Sequence, residues 1–164
     1  MIILVRVDDR LLHGQIICSW VPHLKADALI VASDYAAEDV LTNQIMQACS
    51  CNELSVVVMK VDDAVRRARL CARNVNERAI VILGDIKDAL RLYNGGVRFT
   101  SLNIGNVHHE RDGRALTASV ILNREDEACI GELEALGITI DIRDVPGRKP
   151  VSYRHNGEGR KSGV

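Results

Sequence analysis

The chain has 164 residues, 47% of them hydrophobic, which fits one domain with a real core and excludes a disordered chain. Its 21 Lys+Arg balance 22 Asp+Glu, so there is no bias toward polyanions. Aromatics at 3% leave an aliphatic core and few stacking platforms for single-stranded nucleic acid.

No apolar run reaches membrane-spanning length, and the N-terminus shows neither the basic region nor the cleavage site of a secretory signal. Of the five cysteines, four lie in apolar-periodic segments and read as buried free thiols of a reducing compartment. Cys49-Ser-Cys51 is too short for a CxxC pair, so no metal site is expected there.

"MIILVRV" (residues 1–7) is short, apolar and rich in β-branched residues, and predicts a buried strand. "GQIICSWVPHLK" (14–25) predicts a short helix that stops near Pro22 and Lys25. "DALIVAS" (27–33) is the second strand. Asp34 is placed to cap a helix whose apolar positions Ala37, Val40, Leu41, Ile45 and Ala48 share one face. "LSVVVMK" (54–60) is the third strand. The helix after it carries Val61, Ala64, Val65, Ala68, Cys71 and Ala72 at helical spacing, with its arginines mostly outside that stripe. "RAIVILG" (78–84) is the fourth strand, and Asp85 caps a helix that Gly95-Gly96 ends. "FTSLNIG" (99–105) is the fifth. A polar loop, "NVHHERDGR" (106–114), precedes a short strand, "LTASVIL" (116–122). Asn123 caps a helix with an acidic first turn, Gly137 ends it, and "ITIDIRDV" (138–145) is the last strand.

Strand and helix alternate nearly throughout, and the strands lack a polar face. This predicts an α/β fold: a three-layer, open, mostly parallel β-sheet with helices on both faces. Residues 1–147 form the domain, and the polar, glycine-rich residues 148–164 read as a flexible tail.

Between the first strand and first helix stands "VDDRLLHGQII" (Val7–Ile17). In open α/β sheets ligands gather beyond the carboxyl ends of the strands, which is where this stretch falls. A dinucleotide site needs a glycine-rich turn, but Leu11 and Leu12 occupy it and only Gly14 follows. A receiver domain needs an aspartate ending strand three, and "VVVMK" has none. A histidine phosphoacceptor fits better. Neutral imidazole offers a ring nitrogen as nucleophile, and a helix N-terminus favours the arriving anion. Arg10 can hold phosphoryl oxygens as a planar fork. The second ring nitrogen then needs an acceptor, and Asp8, Asp9 or a loop carbonyl could supply it, so Asp9 is a candidate orienting residue. The plainer alternative is a solvated histidine, with Asp9 and Arg10 as a surface ion pair or a helix cap.

"VRVDDRLLHGQI" closely resembles the signature of the IIB component of the mannose/fructose/sorbose family of the bacterial phosphotransferase system. So do "IVASD", "GGVRFTSLNIGN", the acidic helix with its "LGI" ending, and "DIRDVP", a match over residues 1 to about 147. In "NVHHERDGR" this chain has Asn106, His108 and His109 where the family often has a second glycine and a Gly-Lys turn, and its tail lacks the usual final helix. The resemblance implies that His13 carries a phosphoryl group and that Arg10 stabilises it. It also implies a cytoplasmic protein-histidine–sugar phosphotransferase, needing no cofactor or metal. A IIA protein would be the donor, and a sugar delivered by IIC and IID membrane transporters the acceptor. The protein would associate with the inner face of the membrane through IIC and IID, and nucleic acid would not be a partner. Two alternatives stand beside it: a Rossmann-like nucleotide-binding enzyme, and a non-catalytic regulatory phosphoprotein. Adjacent histidines such as His108-His109 rarely build a metal site and read as a solvated loop or a rim facing a partner.

Overall fold

The computed structural model describes residues 1–109, 113–151 and 153. Among these, the strands are β1 (Ile2–Asp8), β2 (Ala28–Ala32), β3 (Ser55–Met59), β4 (Ala79–Leu83), β5 (Ser101–His108), β6 (Arg114–Thr117), β7 (Val120–Leu122) and β8 (Thr139–Ile142). They form a single sheet in the order β3-β2-β4-β1-β5-β7-β6, with β8 also paired to β5. Every pairing is parallel except β6–β7. β2 and β4 are buried at every position, because both faces of the sheet are covered.

A π-helical turn at Ile16–Trp20 runs into α1 (Val21–Leu24). It is followed by α2 (Asp34–Glu38), α3 (Val40–Gln47), α4 (Val61–Arg73), α5 (Ile86–Asn94) and α6 (Arg124–Ala135). α4, α5 and α6 bury Val61, Ala64, Ala68, Cys71, Ile86, Ala89, Leu92, Ile130 and Leu133 against one face. Leu11, Ile16, Trp20 and Ala36 pack on the other with Leu29, Val31, Ile80 and Ile82. The predicted three-layer architecture is therefore the observed one.

Several local expectations need correction. The helix after β2 is two helices, because Asp39 takes an extended conformation and caps α3 by accepting from Thr42 N at 2.7 Å. Ser33 caps α2, while Asp34 accepts from Val61 N at the start of α4 (2.9 Å). The supposed core face of α3 is exposed at Val40, Leu41 and Ile45. "LTASVIL" is a hairpin, turned at residues 118–119, where Thr117 Oγ1 accepts from Ser119 N at 3.2 Å. The first helix stops where expected: Pro22 follows the π-helical turn, and Lys25, at φ 50°, ends the helix. Of the cysteines, all free, only Cys71 is buried.

The start of the tail is part of the fold. Val151 N donates to Ile142 O at 2.9 Å, Arg148 pairs with Asp144 at 3.1 Å, and Arg114 lies over the Tyr153 ring. The flexibility expected further along falls on Ser152 and residues 154–164, outside the described residues.

Candidate active site

β1 leads into the first helix on one face of the sheet, whereas its neighbour β4 leads into α5 on the other. The chain therefore parts at their carboxyl ends, and the loop after β1 fills the crevice. Leu11 turns it sharply. Its φ of 55° is unusual for a residue with a branched side chain, and its N–H bonds Asp8 O at 2.9 Å. The turn is held because the Leu11 side chain is buried in the core below, while Leu12 is half-buried beside it. His13 then caps the helix, its carbonyl accepting from Ile16 N at 3.0 Å.

This path brings the His13 ring back over the end of β1. Its Nε2 lies 3.0 Å from Asp8 Oδ2. A carboxylate only accepts, so the nitrogen facing it carries the proton and Nδ1 of the neutral ring keeps its lone pair. Gln15 N–H, 3.4 Å away, points at that Nδ1. Arg10 donates from Nε to Asp8 Oδ1 at 3.3 Å and from Nη2 to Gln15 Oε1 at 3.1 Å, with its side chain about half exposed.

Asp8 is the hub and has no solvent exposure. Burial by itself would raise its carboxyl. The His13 hydrogen bond, the Arg6 charge and the Arg10 hydrogen bond outweigh that and hold it below the ordinary value. Arg6 shares a face of β1 with Asp8, two residues on, and donates from Nη2 to Asp8 Oδ2 at 2.8 Å. It too is fully buried.

Asp9, the residue after β1, turns toward β5. It accepts from the Asn106 side-chain amide and, at 3.0 Å, from His108 N. Asp8 therefore stands at the histidine where Asp9 was a candidate, because adjacent residues leave an extended chain on opposite sides. His108 and His109 edge the site: His109 Nε2 lies 2.8 Å from Asp126 Oδ2 in the α6 capping box. Among the described residues no three His, Cys, Asp or Glu side chains converge as metal ligands would.

The model of the family described as PTS system sorbose subfamily IIB component matches residues 2–155. The chain belongs to that family. It is 28% identical over 153 residues to the N-acetylgalactosamine-specific phosphotransferase enzyme IIB component 2 of Escherichia coli, covering 92% of this chain and 94% of the relative. It is also 28% identical to the sorbose-specific EIIB component of Lacticaseibacillus casei, over 88% of each. The IIB domain of the sorbose permease from Klebsiella pneumoniae superposes with a TM-score of 0.84 at 27% identity, covering 93% of each chain. This IIB component is thus a phosphocarrier of a sugar phosphotransferase system, and nothing supports the nucleotide-binding alternative, whose glycine turn is replaced by the buried Leu11.

Sequence reasoning did not pick out Arg6, Asn103, Gly105 or Trp20 around the hub. The signal was an arginine inside an otherwise apolar buried strand, where a charge is costly unless it is paired.

Proposed function

We propose that this IIB component accepts a phosphoryl group on His13 Nδ1 from the phosphohistidine of a IIA partner and passes it to a sugar hydroxyl. The observation that carries this reading is the 3.0 Å contact of His13 Nε2 with Asp8, which leaves Nδ1 as the only ring nitrogen with a lone pair to donate. In the first step the Nδ1 lone pair forms a new N–P bond, and the donor N–P bond breaks with its electron pair returning to the IIA imidazole. Nε2 keeps its proton, so the phosphorylated ring is cationic and the Asp8 carboxylate stabilises it. In the second step a sugar oxygen attacks phosphorus, the P–Nδ1 bond breaks, and neutral His13 leaves. The hydroxyl proton passes to a base beside the bound sugar.

Arg10 neutralises phosphoryl oxygens through the half-exposed guanidinium that Asp8 and Gln15 orient. The energetics call for no cofactor: the first transfer exchanges one phosphohistidine for another of similar energy, and the second converts it into a more stable sugar phosphate ester. The sugar arrives through IIC and IID membrane partners, which places the protein at the cytoplasmic face of the membrane. No helix is long and apolar enough to cross a membrane among the described residues, so such attachment would run through those partners.

NMR of the imidazole nitrogens after phosphorylation tests the site. Phosphorus on Nδ1, in an adduct labile in acid and stable in base, supports the reading. Phosphorus on Nε2, or a base-labile acyl phosphate on Asp8 or Asp9, refutes it.

A further inference from the structure

Asp8 Oδ2 receives two donors, His13 Nε2 at 3.0 Å and Arg6 Nη2 at 2.8 Å. We infer that Arg6 is a positioning residue for phosphoryl transfer, a buried cation that draws on the same carboxylate oxygen as His13 and so keeps Nδ1 free of a proton at neutral pH. This deepens the reading of His13 as the phosphoryl acceptor and rests on it.

Much of the surrounding structure accommodates this side chain. The Asn103 side-chain carbonyl accepts from Nη1, as does Arg143 O at 3.2 Å, and Asp144 O accepts from Nη2 at 3.1 Å. Trp20 lies under the guanidinium, 5.2 Å from ring centre to Cζ, and is itself fixed by donating to Asp144 O at 3.0 Å. β5 has a glycine at the point of contact: a Cβ on Gly105 would fall 1.8 Å from Arg6 Nη2. Except for Asp8, these hydrogen-bond acceptors are neutral, so the buried cation has one carboxylate partner. Nε has no hydrogen-bond partner among the described residues. A buried ion pair is a poor source of stability compared with apolar packing, so its cost points to a role at the site.

That role follows from charge. A lone carboxylate on Nε2 would make the imidazole a stronger base and draw a second proton onto Nδ1, which removes the nucleophile. A guanidinium on the same oxygen opposes that proton. The other charged groups nearby leave the argument standing. Arg10 acts on Oδ1 in the same sense. Asp144, close to Arg6, is paired with Arg148, and Arg143 with Asp141. Asp9 is turned to β5.

The test measures the rate at which the protein accepts phosphoryl from phosphorylated IIA across pH, for wild type, Arg6→Gln and Arg6→Lys. Arg6→Gln is expected to move the acid limb up by about one pH unit, which makes it a few-fold slower at neutral pH and about tenfold slower further down the limb, and to recover as pH rises. Arg6→Lys, which keeps the cation, should recover most of the neutral-pH rate. Nitrogen NMR of Arg6→Gln should show Nδ1 protonated where wild type is not. If Arg6→Gln does not fold, Gly105→Ala, whose methyl displaces the guanidinium, should move the acid limb in the same direction. A folded variant that is slow at every pH, or one with the wild-type profile, overturns the inference. Failure of wild type to be labelled on His13 would instead overturn the phosphocarrier site itself.

Discussion

Arg10 touches Asp8 with one edge of its guanidinium and Gln15 with another, and still leaves donors facing solvent beside His13. A lysine there keeps the charge and loses the fork. Losing one hydrogen bond to a charged group, ~1.5 kcal/mol, should slow transfer to His13 about tenfold in Arg10→Lys while the thermal midpoint stays put. An unchanged rate would reduce Arg10 to an ion-pair partner. Asp8 makes a separate prediction with acid. Its folded carboxyl is held below the ordinary value, so the stability it contributes is complete at neutral pH. That contribution is lost as pH falls below about 4 and through the lower folded value. Asp8→Asn should therefore show a shallower loss of stability with acid than wild type, measured by urea unfolding at several pH values. Equal slopes would mean that Asp8 is not held in its ionised form by the fold.

At the level of elements, the loop after β1 works because its two leucines have different fates. Leu11 is buried and anchors a turn at positive φ, whereas Leu12 is only half-buried and lies next to the histidine in sequence. Leu11→Ser should lower the melting temperature, since burying a side chain of that size contributes roughly 1.5–3 kcal/mol. Leu12→Ser should melt closer to wild type and slow transfer from IIA, as expected of an apolar contact at a docking surface. If both variants melt equally early, Leu12 belongs to the core. The strands were legible because unbroken apolar runs leave little other choice, and Asp85 and Asn123 were legible as caps because each precedes a clear amphipathic stretch. The break at Asp39 was not. Val40, Leu41 and Ile45 keep helical spacing across a helix that does not bury them, and periodicity alone cannot tell an unpaired apolar face from a core face. The exchange of Asp9 for Asp8 has a similar cause. Two adjacent carboxylates are equivalent in sequence and diverge only once the last residue of β1 is fixed.

Over the whole molecule, the sheet order brings residues far apart in the chain to one place. β1 carries Arg6 and Asp8, β5 supplies Asn103 and the gap at Gly105, and the turn after β8 closes over the guanidinium with two carbonyls. The signature loop was readable because its residues are contiguous. The support beneath it was not, since it depends on which strand lies beside β1. The most direct test of the account is intact-mass analysis of the protein after incubation with phosphoenolpyruvate, the general phosphotransferase proteins and a IIA partner. The account predicts a gain of one phosphoryl group in wild type and none in a folded His13→Ala. A phosphorylated His13→Ala protein, or a wild type that a functional IIA leaves unlabelled, would contradict it.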